Sequence, residues 1–427
     1  FYTPNLKAQQ SPLPLLLPIA NSNPTDAFYD LIYADLRYAI AHLPNTAIGD
    51  RVSKPIAEAF LARIYLTTKK YAEARDLAKK VIETYHFTLE TQYKALWDMK
   101  NQENKEIIWA TNFEVNDVYE ENKNLYGYGY EDQSVGRGRN NSHTLFIAKY
   151  ESRIAADNLG FINKDSVNTH WPLVKDVRNG NSFNRFVPTP YLLRLFNDSI
   201  DARYDGSFQT VWYSNKSISS PAAPKKFLLG DTALYITKRP HTTQRYYTFD
   251  YNTLFDAQGK SKNTRNNYMC PSLRKHMDST RFTDPILGPS QTGQGNIQSF
   301  RKEYIIRLAE MYLIGAEAEM YLGNQAAARQ YINTLRKRAA LSPAAEAAME
   351  IKQDLTIDNL LEERARELAG EYLRWYDLKR TGKLVELVTL HNPDIGAHLS
   401  ELHLIRPVPQ PQLDYMKGGT LTQHVGY

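Results

Sequence analysis

The sequence predicts a mainly α protein, in which tetratricopeptide-like helical hairpins form a scaffold around a loop-rich middle region containing short strands. Two observations carry this. Ala62, Ala74 and Val81 are spaced 12 and 7 apart, and Ala316, Ala328 and Leu335 repeat both spacings. Small residues in that register let two antiparallel helices approach closely. From about Asn101 to Gln298, by contrast, helical periodicity gives way to short runs separated by Gly, Asn, Ser and Pro.

Taken in chain order, the first element is a helix over Asp26 to Leu43, with Phe28, Leu31, Ile32, Leu36 and Ile40 along one stripe. The first hairpin spans Pro55 to Thr67 and Tyr71 to Tyr85, with Ser53 as its cap and Pro55 in the first turn. Strand-like runs follow at Glu106 to Thr111 and Gln209 to Tyr213. The second hairpin spans Glu303 to Leu322 and Gln325 to Ala340, turning at Gly323-Asn324. Its match to the repeat is partial, because Glu319 stands where the first hairpin has Tyr65.

The last element is one long helix, LEERARELAGEYLRWYDLKR at Leu361 to Arg380. Ile357, Leu361, Ala365, Leu368, Tyr372 and Trp375 recur at three or four and predict a buried stripe. Thr356 is its N-cap, Asp358, Glu362 and Glu363 crowd the first turns, and Lys379, Arg380 and Gly382 mark its end. Glu363, Glu367 and Glu371 stand at i, i+4 intervals among Arg364, Arg366 and Arg374. General acid/base work needs two carboxylates facing one pocket, whereas this ladder along one helix predicts ion pairs that fix packing.

Composition excludes several function classes. Of 427 residues, 23% are charged, the mean hydropathy is −0.53, and the net charge of +5 (pI near 8.8) includes no Lys/Arg block of nucleic-acid type. PLPLLLPIA at Pro12 to Ala20 is too short and too proline-rich for a membrane span. Cys270 is the only cysteine, so no intramolecular disulfide forms; this does not decide the compartment. Metal-ligand, nucleophile-elbow, Walker and dinucleotide motifs are absent, and neither cofactor nor metal is expected. Asn197, Asp198, Asp201 and Asp205 lack the spacing of a calcium loop and read as turn and cap residues.

Binding residues are sought in the middle loops, which a rigid scaffold would hold. Tyr126, Tyr128 and Tyr130 alternate in LYGYGYED, so an extended backbone would project all three rings from one face. The C–H face of a sugar stacks on such rings, and Arg137, Arg139 and Asn140 could receive its hydroxyls. The same segment also suits a strand that buries its tyrosines, or a glycine-rich surface loop. Trp171, before Pro172 among polar residues, is a candidate exposed platform, whereas Trp97, Trp109, Trp212 and Trp375 read as packing.

Three ordered blocks resemble the SusD/RagB family of nutrient-binding lipoproteins of the Bacteroidetes outer membrane. The first is the helix pattern filled by Glu363, Arg364, Glu367, Leu368, Ala369, Glu371, Arg374, Trp375, Asp377, Leu378 and Arg380. The second is Pro407 and Pro409, and the third is the C-terminal Gln423, Gly426 and Tyr427. The chain departs from the pattern at Ala365-Arg366, where two basic residues are usual, and at His424-Val425 in place of Asn-Pro. Val52 to Ile82 and Tyr304 to Gly323 also look like helices of the family.

The resemblance implies one unit over residues 1–427, with helical parts at 1–100 and 299–427 and a ligand-binding part at 101–298. It implies a cell-surface protein that binds an oligosaccharide without cleaving it. Its partner would be a SusC-like TonB-dependent transporter, and its anchor an N-terminal lipid on the outer membrane. Signal peptide, lipidated cysteine and further helices would precede Phe1, making the sequence part of a longer protein. Peptide capture, as in the RagB branch, is the alternative within the family; a protein-interaction scaffold or a glycan-cleaving enzyme are the alternatives outside it.

Overall fold

The computed structural model describes residues 25–46, 51–113, 142–151, 170–176, 179–180, 182, 184–256, 269–279, 299, 301–415 and 422–427. The N-terminal helices are α1 (Thr25–His42), α2 (Lys54–Thr67) and α3 (Tyr71–Thr84). The C-terminal ones are α4 (Leu308–Tyr321), α5 (Gln325–Ala339), α6 (Pro343–Met349), α7 (Ile357–Glu367), α8 (Arg374–Arg380) and α9 (Leu384–His391). Each of α1 to α5 packs on the next, and α4 docks on α3 as the next repeat helix would, although residues 85–307 lie between them.

The repeat register is the reason. Ala62, Ala74, Val81, Ala316, Ala328 and Leu335 have no exposed surface, so the small residues mark the helix crossings as predicted. The hairpin turns sit at matching places too: Lys69 and Gly323 both adopt the left-handed conformation, with φ of 62° and 83°. Arg63 fixes the two hairpins together through a bidentate pair with Glu310, at 2.7 and 2.6 Å.

Four expectations are corrected. In α1 the packed face carries Tyr29, Tyr33, Leu36 and Ile40, while Phe28 and Leu31 are more than half exposed. Tyr33 decides the orientation: its ring lies 5.3 Å from Tyr65 and its hydroxyl donates to Thr68 Oγ1. The second hairpin does not begin as helix at Glu303, because Glu303–Arg307 is strand β7, antiparallel to β1 (Ile107–Thr111), and α4 starts only at Leu308. Tyr304, Ile305 and Ile306 are aromatic and β-branched residues that suit a strand, and tertiary pairing overrides the helical reading.

The run at 209–213 is likewise divided. Phe208–Gln209 (β2) pairs with Ser272–Leu273 (β6), while Val211–Tyr213 (β3) pairs with Thr232–Thr237 (β4), itself parallel to Tyr247–Asp250 (β5). Thr210 stands between, its carbonyl accepting from Ile236 N at 2.8 Å.

The expected long helix over 361–380 is the fourth correction. It is two helices, α7 and α8, separated by a turn in which Gly370 (φ 73°) and Tyr372 (φ 63°) are left-handed. A Cβ on Gly370 would lie 2.1 Å from Leu273 Cδ2, so this turn is pressed against β6. Thr356 does cap α7, in a capping box with Asn359.

The carboxylates of α7 face inward. Glu363 accepts from Arg203 (2.7 Å), Arg336 (2.9 Å) and Arg366 (2.7 Å), and Glu367 from Arg203 (3.1 Å), Arg307 (2.8 Å) and Arg338 (2.5 Å). Glu371 pairs with Lys275 and Arg307, and Glu106, beside β1, with Arg307 and Arg338. Burial alone would push these carboxyl groups up, but the surrounding cations overcome it and hold Glu363, Glu367 and Glu371 below the ordinary range. The ladder thus joins α7 to α5, to the end of β7 and to the middle region.

The C-terminal blocks also explain each other. Gln423 exchanges two hydrogen bonds with the backbone of Val408, between the two prolines, at 2.8 and 2.9 Å. Tyr427 Oη donates to the carbonyl of Ile405 at 2.7 Å, and Gly426 (φ 99°) makes the turn between them.

Candidate functional site

The break between α7 and α8 opens a cavity of about 430 Å³. Ala365, Leu368, Ala369 and Leu378 line it from the two helices, Val187, Pro188, Tyr191 and Leu192 from the segment before and within the short helix Pro190–Arg194, and Leu387, Val388 and His391 from α9. Across these walls the rings of Tyr191 and His391 stack with centroids 3.8 Å apart and planes 7° apart. Burial, and then Arg194 and Arg374, lower the His391 pKa. The lining is mostly apolar, as ligand pockets of ~300–1,000 Å³ commonly are.

Two guanidinium groups interrupt it. Arg364 donates from Nε to Asp377 Oδ2 at 2.7 Å, yet its buried Nη1 has no hydrogen-bond partner among the described residues. Arg374 donates from Nη1 to the carbonyl of Leu361 and makes no ion pair among the described residues. Burial first, and the nearby Arg364 charge, lower its pKa.

Aromatic rings form one side of the mouth. Phe146 stacks on His276 (5.0 Å between centroids, planes 10° apart), and Phe186 and Tyr372 lie 5.3 and 6.1 Å from Phe146. Phe186 and Tyr372 are each about half exposed, 51% and 50%. Tyr372 holds its place in a left-handed conformation that side chains seldom adopt, at a cost of about 1–3 kcal/mol. Ser142 hydrogen-bonds both Tyr372 and Glu303 and begins the turn Ser142–Phe146 that delivers Phe146 to the rim.

Of the residues singled out in the sequence, Tyr126, Tyr128, Tyr130, Arg137, Arg139 and Asn140 lie outside the described residues. Ser142, the first described residue after them in the sequence, hydrogen-bonds Tyr372 at the aromatic rim. Trp171 is not an exposed platform: it is 1% exposed, its Nε1 donates to the carbonyl of Tyr150 at 3.0 Å, and its ring lies 4.9 Å from that of Tyr247. The backbone NH groups of Asn215 and Lys216 and the hydroxyl of Ser214 all bond the Pro172 carbonyl, pinning this stretch beside β3 and turning the indole into the core.

Trp212 is fully buried as expected. Asn197, Asp198, Asp201 and Asp205 are engaged as turn and ion-pair residues, for instance Asp201 and Asp198 with Arg203 and Arg239. No group of His, Cys, Asp and Glu suited to a metal ion occurs among the described residues. Burial pushes the Cys270 thiol up to about 12, so it is no nucleophile. Glu363 and Glu367 are fully buried and do not line the cavity. The cavity itself was missed; the glycine inside the helical pattern, Gly370, was the available sign of the break that makes it.

Comparison with known proteins agrees with this architecture. The profile of the SusD family matches residues 105–427. SusD-like proteins P2 and P25 of Formosa agariphila are 26% and 22% identical over 84% and 85% of this chain. The chain spans 57% and 56% of the length of those two relatives. Among solved structures, a laminarin binding SusD-like protein superposes with a TM-score of 0.60 at 21% identity, covering 94% of this chain and 69% of its own. Surface glycan-binding protein A of Bacteroides thetaiotaomicron, in complex with laminarihexaose, gives 0.56 at 20% identity over 93% of this chain and 70% of its own. The same fold, and a family profile that runs through the ion-pair ladder, the proline segment and the terminal tyrosine, place this chain in the SusD family.

Proposed function

We propose that this protein captures oligosaccharides at the outer surface of the outer membrane without cleaving them, and passes them to a SusC-like TonB-dependent transporter. A lipid at the N-terminus of the longer protein would hold it there, and residues 1–427 would work as one domain. The observation that carries the reading is the aromatic rim at the cavity mouth, where Phe186 and Tyr372, each about half exposed, stand beside Phe146. Rings with one free face suit the C–H faces of sugars. The glycan-binding relatives of the same fold support the choice of ligand. Capture requires only such a platform with polar neighbours, which accords with carboxylates buried in ion pairs.

Isothermal titration calorimetry against plant, host and microbial oligosaccharides, laminarin oligomers included, tests this alongside Tyr128→Ala and Tyr372→Ala. Saturable binding that weakens in either variant, with no product after prolonged incubation, is the expected result. Binding of mixed peptides alone would replace the reading with peptide capture, and release of shorter saccharides would replace it with hydrolysis.

A further inference from the structure

Two arginines that line the cavity lack a full set of partners among the described residues. Asp377 is shared between Arg364 and Arg380, and Arg380 also grips Glu317. Arg364 and Arg380 therefore divide one carboxylate between them, and Arg374, which feels the charges of Asp377 and Glu362, has the Leu361 carbonyl as its direct hydrogen-bond partner. Both Arg364 and Arg374 line the cavity, and the buried Arg364 Nη1 has no hydrogen-bond partner among the described residues. A guanidinium held out of water with donors unused is costly unless an acceptor completes it, and a planar carboxylate matches its paired donors best.

We infer that the cavity takes a carboxylate-bearing sugar, a uronate unit of the captured glycan, with Arg374 and Arg364 Nη1 binding the carboxylate and the apolar wall packing against the ring. The inference rests on the glycan-capture reading above. Three features suit a sugar acid better than an inorganic anion. The volume of about 430 Å³ exceeds what a small ion fills. The walls are mostly apolar, Arg364 and Arg374 are the two arginines in them, and the other polar liners, Thr189, Asp377, His391 and Asn392, could meet ring hydroxyls. The mouth bears the half-exposed rings of Tyr372 and Phe186, which would stack on the next sugar unit.

The test is calorimetry of the full chain with glucuronate- and galacturonate-bearing trisaccharides, each beside its carboxyl-reduced neutral counterpart. At least one acid is expected to bind about tenfold or more tighter than its neutral form. Arg374→Gln should remove that advantage, Arg374→Lys should restore part of it, and thermal melting reports whether each variant is folded. Should Arg374→Gln fail to fold, Val388→Phe, which narrows the cavity without touching charge, must weaken binding of the acid. Equal affinity for acids and their neutral forms, or an advantage that survives Arg374→Gln, overturns the uronate assignment while leaving glycan capture standing. Binding of no saccharide of either kind overturns both. Selective binding of carboxylated peptides in their place overturns the assignment in favour of a different ligand class.

Discussion

Replacing Glu367 by Gln is expected to destabilise the protein by about 3–5 kcal/mol, the range for breaking a buried ion pair and stranding its partners. Its carboxylate sits at the meeting point of Arg203, Arg307 and Arg338, all buried, at 3.1, 2.8 and 2.5 Å. Gln keeps the shape but turns an NH2 group toward a guanidinium and removes the charge that balances them. Its main-chain carbonyl, which accepts from Tyr93 Oη, Lys275 Nζ and Arg307 Nη2, stays in place, so the loss belongs to the side chain. With an unfolding entropy of about 2.1 cal/mol/K per residue over 427 residues, the midpoint should fall by roughly 3–6 °C.

The control is Glu103→Gln, whose partner is Lys302 in a pair with Glu103 81% exposed; a pair of that kind contributes about 0–1 kcal/mol. Differential scanning calorimetry at neutral pH measures both. In the Glu367→Gln, Arg338→Gln double variant the two losses should sum to less than their separate values, because one interaction is removed twice. A Glu367→Gln midpoint within about 1 °C of the Glu103→Gln midpoint would refute the view that this ladder is structural.

Other outcomes follow from single features. Glu363, Glu367, Glu371 and Asp377 all have depressed folded-state pKa values. Their stabilisation is therefore complete above the ordinary carboxylate values near 4 and is lost as pH falls further, so the melting temperature should drop from pH 5 to pH 3; a rise over that window would contradict the assignment. Gly370→Ala should cost at least about 1–2 kcal/mol from its left-handed backbone, with a further loss against Leu273, whereas Gly323→Ala, also left-handed but with open space around it, should show the backbone cost alone. Urea midpoints of the two variants separate the contributions. Lys69→Gly, at the same place in the first hairpin, should stabilise by about 0.5–1 kcal/mol; a loss in urea titration would show that the lysine side chain matters more than its strained backbone. Cys270 should resist a thiol reagent at pH 8 in the folded protein and react once urea unfolds it, since burial holds the thiol near 12.

The helical tiers were legible because their determinants are local: three small or aliphatic positions repeated at fixed spacing, and a threonine N-cap at the start of α7. What escaped depended on distant partners. Glu303 to Arg307 looks like the start of a helix until Ile107–Thr111 arrives beside it. Trp171 looks exposed among polar neighbours in the sequence, but Ser214, Asn215 and Lys216, distant in the chain, hold Pro172 and turn the indole inward. Along α7 the spacing of the acids correctly indicated ion pairs, though periodicity gave no hint that most of the partners come from other elements and that the whole set is buried. The cavity needed a helix to end at Gly370 where the apolar stripe alone would have continued it.

Arg307 reaches back 201 residues to Glu106 and forward 60 to Glu367. This span orders events during synthesis. The first hairpin can form from local contacts as soon as it leaves the ribosome, but neither cation that balances Glu106, Arg307 or Arg338, yet exists at that stage. Until then Glu106 remains hydrated, and β1 presents an open edge for which the correct partner has not been made. Growth of the intervening loop adds little to the closing cost, since each doubling of its length adds only about 0.6 kcal/mol, but it delays closure. Translation through Glu371 is therefore the step that commits the chain: a nascent protein halted before Glu363 would hold Arg307 and Arg338 with Glu106 alone to share, and would be a natural target for chaperones or proteolysis.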